Sequence, residues 1–162
     1  MTEAEFLPLF DAYHDMVYRL SLSYTRSPQD AEDMVQTVFL KLLDGNRLPE
    51  PGKERAWLIQ VTVNGCKDLL RSAWRKRTDP LDETIPFSHS EEGELFTAVM
   101  ALPEKYRVAI YLHYYEGYTF QEIARFLHTS SSAVSMRLHR ARKLLRSSLQ
   151  EEYYGQIVPK DL

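Results

Sequence analysis

Residues 118–146, YTFQEIARFLHTSSSAVSMRLHRARKLLR, constrain this chain more than any other stretch. Phe120, Ile123, Ala124 and Leu127 recur at helical spacing, and Val134, Leu138, Ala141 and Leu145 repeat the same pattern further on. Between the two stripes lies HTSSS, whose side chains bond free backbone N–H groups and so favour turns and helix N-caps. The spacing predicts a short helix, a tight turn at His128 and a second helix from about Ser131. Turns of this kind often use Gly, but His is among the residues enriched at positive φ, so His128 can stand there. Small Ala124 falls where two helices approach closely, and Val134 where the second plugs back into the first.

The outward face of the second helix would carry Ser131, Ser132, Ser135, Met136, His139, Arg140 and Lys143. From 128 to 149 there are five Lys or Arg and no carboxylate. A short helix, a tight turn and a long basic helix form the pattern of a helix-turn-helix that lays its second helix in the DNA major groove. A solvated face, or a helix that binds a membrane surface or a partner, has the same composition. The QEIA and Ser-Ser-Ala-Val segments favour DNA, and Arg140 is the best-placed candidate for a bidentate contact to guanine.

The 162 residues suffice for one ordinary domain or two small helical ones. Hydrophobic residues make up 44% of the chain, with no apolar run near the length that spans a bilayer. The start, MTEAEFLPLF, lacks the basic end and apolar core of a secretory signal. One cysteine, Cys66, excludes an internal disulfide and a multi-Cys zinc site. These features predict a soluble cytoplasmic protein without direct membrane insertion. The net charge of −3 is unevenly spread. Residues 1–40 hold seven carboxylates against two Arg, 67–77 hold five cations against one carboxylate, and 79–94 hold six carboxylates and no Lys or Arg. Screening confines each patch to roughly 8–10 Å, so local clustering matters more than the sum.

In chain order, a first helix is predicted over 4–25, with Phe6, Leu9, Phe10, Tyr13, Val17, Leu20 and Tyr24 on one stripe and Pro8 in its first turns. A second begins at SPQD, with Ser27 as N-cap and Pro28 at the first helical position, and ends near Gly45. Ala31, Val35, Val38 and Leu42 would face its core, and Asp33, Gln36, Thr37, Leu40 and Lys41 the outside. A third, over 54–77, would bury Trp57, Leu58, Val61, Leu69 and Ala73, with Gly65 and Cys66 allowing close helix contact. Its second stripe, Asn64, Lys67, Arg71, Trp74 and Arg75, could follow a phosphate backbone and hold unpaired bases. A plain surface helix with pairs such as Asp68–Arg71 is the alternative. Residues 78–90, TDPLDETIPFSHS, read as a flexible acidic linker. Short helices follow, one on Leu95, Val99 and Leu102 and one on Tyr106, Val108, Ala109, Leu112 and Tyr115, closed by Gly117. A tail over 151–162, with little pattern, is predicted to fray. The fold class is all-α, in two small helical domains.

No HExxH, Walker loop or nucleophile elbow is present, and the five histidines are scattered. Asp11 and His14 have the spacing of a carboxylate–histidine pair, but a bundle metal site needs that motif twice. Neither catalysis nor a metal, cofactor or small-molecule substrate is expected.

VYRLSLSYTRSPQDAEDMVQTVFLKLL, AWLIQVTVNGCKDLLRSAWRKR and ALPEKYRVAIYLHYYEGYTFQEIARFLHTSSSAVSMRLHRARKLLR together resemble a bacterial RNA polymerase sigma factor. The match is to the extracytoplasmic-function group, which keeps only regions two and four, and it covers 6–146. The resemblance implies region two over 1–77 as a helical bundle, the linker over 78–90 and region four with the helix-turn-helix over 91–150. It implies core RNA polymerase as partner, through its β′ clamp helices and β flap, with Asp33, Gln36, Thr37 and Leu40 on the β′ clamp. Asn46, Arg47, Asn64, Lys67, Arg71 and Arg75 would hold the melted −10 element of promoter DNA, and the second helix of the motif would read the −35 duplex. Control by an anti-sigma factor is a further implication. His128 in place of the usual turn glycine, and Ser135-Met136 where basic or small polar residues are common, bear on promoter preference. The alternative is a stand-alone helix-turn-helix regulator that binds DNA as a dimer, for which the N-terminal half would have to supply a dimerisation module.

Overall fold

The computed structural model describes residues 1–45, 49–76 and 93–149, the side chains of 74–76 excepted. Asn46, Arg47 and the side chain of Arg75 fall outside it, as do the linker expected over 78–90 and the tail over 151–162. Every regular element among the described residues is helical. The chain divides into two compact units, 1–85 and 86–162.

The first unit contains α1 (Glu3–Thr25), α2 (Pro28–Asp44) and α3 (Glu54–Lys76), each packed on the other two. Thr2 starts α1 through a capping box: its hydroxyl accepts from the Glu5 N–H at 3.3 Å, and the Glu5 carboxylate accepts from the Thr2 N–H at 2.8 Å. The backbone bond to Thr2 is the main cause that holds the Glu5 carboxyl below its ordinary value. Pro8 lies at the sixth helical position, past the free first turn, so the carbonyl of exposed Ala4 loses its helical donor. Arg26 closes α1 at φ 56°, Ser27 caps α2 by accepting from the Asp30 N–H at 3.2 Å, and Pro28 takes the first helical position. Gly45 ends α2 at φ 72°.

Val17, Leu20 and Tyr24 of α1 are buried, and so are Ala31, Met34, Val38, Phe39 and Leu42 of α2, while Val35 is only half-buried. The core face of α3 departs from the expected one. Leu58, Ile59, Thr62, Val63 and Cys66 point inward, whereas Trp57, Val61, Leu69 and Ala73 are half-buried. Apolar residues occupy more than half of the circumference of α3, so its periodicity admits several inward faces, and α1 and α2 select one. Buried Thr62 is reconciled with that face by donating its hydroxyl to the Leu58 carbonyl at 2.6 Å. Gly65 permits the close approach of α2: a Cβ there would stand 2.9 Å from the Met34 sulfur.

Phe10 packs edge-on against Phe39 and stacks on His14, with ring centroids 4.9 Å apart in both pairs. His14 engages the Phe10 carbonyl at 2.8 Å and lies 3.6 Å from Asp15, so it turns away from a pairing with Asp11. No cluster of three metal-ligating side chains occurs among the described residues.

The second unit contains α4 (Gly93–Met100), α5 (Glu104–Ile110), one π-helical turn (Tyr111–Tyr115), α6 (Phe120–Leu127) and α7 (Ser131–Ser148). α4, α5 and α6 all pack on α7, and Val134, Leu138, Ala141 and Leu145 of α7 are buried, as are Val99, Val108, Leu112 and Ile123. The π turn corrects one expectation. Glu116 N–H bonds the Tyr111 carbonyl at 3.1 Å and Tyr118 N–H the Leu112 carbonyl at 3.0 Å, so the helical phase slips before Gly117. Tyr111 is thereby buried, and Tyr115, expected on the core stripe with Leu112, is 54% exposed.

Candidate nucleic-acid interface

Each part of the helix-turn-helix is fixed by a local bond. Thr119 and Glu122 form a second capping box at the start of α6, at 3.1 and 3.2 Å. The preceding carbonyl, of Tyr118, is held 2.8 Å from the His113 Nδ1 on the π turn, while the Tyr118 ring packs edge-on against Phe126. At the other end of α6 His128 adopts φ 54°, ψ 49°, the left-handed conformation expected at the turn. The Thr129 N–H then reaches back to the Ala124 carbonyl at 2.9 Å, the bond of a Schellman-type end. Ser130 caps α7 by accepting from the Ala133 N–H at 3.1 Å. Ala124 and Val134 are buried, as a close helix crossing requires.

These constraints leave one face of α7 open. Ser132, Ser135, Met136, His139, Arg140 and Lys143 are exposed, and Ser131 is half-buried. Part of that face borders a shallow concavity of about 480 Å³ between the start of α6 and α7. Ser131, Ser132, Ser135, Met136 and His139 line it together with Phe120, Gln121 and Arg142, while Arg140 and Lys143 do not. The sequence pattern assigns Phe120 to the apolar stripe of α6 and singles out neither Gln121 nor Arg142. Arg142 is three residues beyond His139, a spacing that puts both on one side of the helix.

On α3, Asn64 and Arg71 are exposed and Lys67 is half-buried, along one stripe. Asn64 accepts from Gln60 at 3.1 Å, and Arg71 lies 3.8 Å from Asp68. That exposed pair contributes at most about 1 kcal/mol, so it does not remove Arg71 from reach of an anion. On α2, Asp33, Gln36, Thr37 and Leu40 are all exposed, with the Thr37 hydroxyl turned back to donate to the Asp33 carbonyl at 3.0 Å. Leu40 is 63% exposed, and Leu43, one turn on and absent from the expected set, is 43% exposed.

The model for sigma-70 region 2 matches residues 9–76, and that for sigma-70 region 4 matches 92–145. The RNA polymerase sigma factor SigV of Bacillus subtilis strain 168 is 32% identical over 142 residues, covering 83% of this chain and 85% of SigV. The ECF RNA polymerase sigma factor SigM of Mycobacterium tuberculosis (strain H37Rv) is 30% identical over 144 residues, covering 85% of this chain and 73% of SigM. The chain belongs to the ECF sigma factors.

The ECF sigma factor SigE of Mycolicibacterium smegmatis is 30% identical over 148 residues, but the match spans only 58% of that longer protein. Among solved structures, the sigma factor RpoE from Bartonella quintana, crystallised with the anti-sigma factor NepR, superposes with a TM-score of 0.67 over 91% of this chain and 96% of RpoE. At 20% identity that is a likeness of fold. As a sigma factor the protein works with RNA polymerase in transcription initiation, and the stand-alone dimeric regulator gives way to that reading. No described helix is long and apolar enough to cross a membrane.

Proposed function

We propose that the protein directs core RNA polymerase to promoters through three separate faces. Asp33, Gln36, Thr37 and Leu40 dock on the β′ clamp helices, with Leu40 as the apolar anchor. Asn64, Lys67 and Arg71, with Asn46, Arg47 and Arg75, hold the melted −10 strand. The open face of α7 reads the −35 duplex, and the β flap binds the same module. Region two takes 1–77, the linker 78–90 and region four 91–150. The protein is a DNA-reading initiation factor and not an enzyme, and it acts in the cytoplasm with the polymerase.

The observation that carries this reading is the carboxylate-free outward face of α7, open beside the start of α6, in a chain that matches both sigma regions. Phosphate contacts from its cations supply affinity, and base-edge contacts supply preference. Control by an anti-sigma factor that covers the α2 face is part of the proposal, with RpoE of Bartonella quintana, solved bound to NepR, as precedent. Run-off transcription with core polymerase over a genomic fragment library tests the whole. Discrete start sites that share an upstream element are expected, and transcription no different from core polymerase alone would refute it.

A further inference from the structure

Met136 is chemically the odd side chain on the open face of α7. It is 48% exposed and borders the concavity among Ser132, Ser135, His139 and Gln121. Leu144, the other exposed large apolar residue of α7, is not part of that lining. Side chains on a helix lean toward its N-terminus, so Met136 lies over residues three and four positions earlier. Those are Ala133 and Ser132, both small, and the side chain is left 48% exposed. A flexible, unbranched, polarisable chain in that position adapts to a small apolar knob.

A DNA major groove offers one such knob. Each base pair displays hydrogen-bonding groups there, and only thymine adds a methyl group, at C5. The polar residues around Met136 suit the amino and carbonyl edges of bases, which leaves the thioether to meet the methyl. On this basis we infer that Met136 is a specificity-determining residue that selects a thymine in the upstream duplex by contact with its C5-methyl. The inference rests on the reading of α7 as the −35 recognition helix.

Deoxyuridine separates the methyl from every other property of thymine, because it pairs with adenine identically and lacks only that group. Holoenzyme assembled from the full chain and core polymerase is titrated with a promoter from the run-off library. Each thymine of the upstream element, on either strand, is replaced in turn by deoxyuridine. For the unaltered protein, one replacement is expected to weaken binding about fourfold, the equivalent of one methyl-sized group left unburied. Met136→Ala holoenzyme should lose affinity for the thymine promoter and show no response to that replacement, whereas Met136→Leu should keep the response. Circular dichroism of both variants should match the parent, since the side chain is exposed.

Absence of any sensitive thymine, or equal sensitivity in the parent and Met136→Ala, would overturn the inference while leaving promoter recognition by α7 intact. A holoenzyme with no promoter-specific transcript would instead overturn the underlying reading, and the methyl contact with it.

Discussion

The His113 Nδ1 and the Tyr118 carbonyl oxygen lie 2.8 Å apart, across the turn that leads from the π-helical segment into α6. The same imidazole sits 4.9 Å, centroid to centroid, from Phe120, the first residue of α6. One side chain thus ties the phase slip before Gly117 to the start of the helix-turn-helix. His113→Ala should lower the stability of the protein by about 1–2 kcal/mol, the sum of one hydrogen bond and the lost ring packing. Urea denaturation should show a lower midpoint with unchanged slope. No midpoint shift would mean that the imidazole does not hold the turn.

Gly65 and Met34 set how closely α3 approaches α2. An alanine at Gly65 gains about 1 kcal/mol of helix propensity but places its Cβ 2.9 Å from the Met34 sulfur, on a chain that is 6% exposed. The two effects should nearly cancel for Gly65→Ala. Gly65→Val adds bulk that Met34 cannot yield to and should destabilise by about 1–3 kcal/mol. Thermal melting of both variants checks the order, and a stabilised Gly65→Val would show that the helices have room to separate.

If the exposed α2 face docks on the polymerase as proposed, its variants separate binding from folding. Leu40→Ala and Gln36→Ala remove little buried surface, so thermal stability should stay within about 0.5 kcal/mol of the parent. Association with core polymerase should fall tenfold or more, on the order of 1–2 kcal/mol for an anchor residue. Leu43→Ala should cause a smaller loss from the same surface. Surface plasmon resonance against immobilised core polymerase provides the measurement, and unaltered binding by the Gln36 and Leu40 variants would remove the foundation of the proposed function.

Salt should expose how α7 divides its contacts. If about six phosphates are neutralised, log affinity of holoenzyme for promoter falls with log salt at a slope of about −5. Lys143→Ala should flatten that slope by about one, with little change in sequence preference. Arg140→Ala should relax preference at one base pair by about 1–3 kcal/mol, as expected for a bidentate guanine contact. The free protein should bind promoter weakly, because opening DNA costs about 1.4 kcal/mol per stacked step and two small modules do not offset that alone. Tight, sequence-specific binding by the isolated protein in an anisotropy titration would contradict this division.

Much of the geometry of the open face is legible in the sequence because its signals are local. His128 between two apolar stripes marked the turn, and it does take the left-handed conformation. Ser27 and Pro28 marked the start of α2, and the outward set from Ser132 to Lys143 followed from the same period that buried Val134, Leu138 and Ala141. Thr2–Glu5 and Thr119–Glu122 carry capping-box spacing, a local signal independent of the apolar stripes. Arg142 follows from its spacing to His139, whereas the place of Phe120 and Gln121 beside the open face depends on how α6 lies across α7.

By itself the sequence determined where helices begin, turn and end, and which face of α7 is basic, because caps, prolines and apolar periods act over four or five residues. The tertiary structure decided which side of α3 faces inward and where the phase slips before Gly117. It also decided which side chains share a concavity with Met136. Those outcomes depend on competition among several apolar faces for one core, and only the packed neighbours resolve that competition.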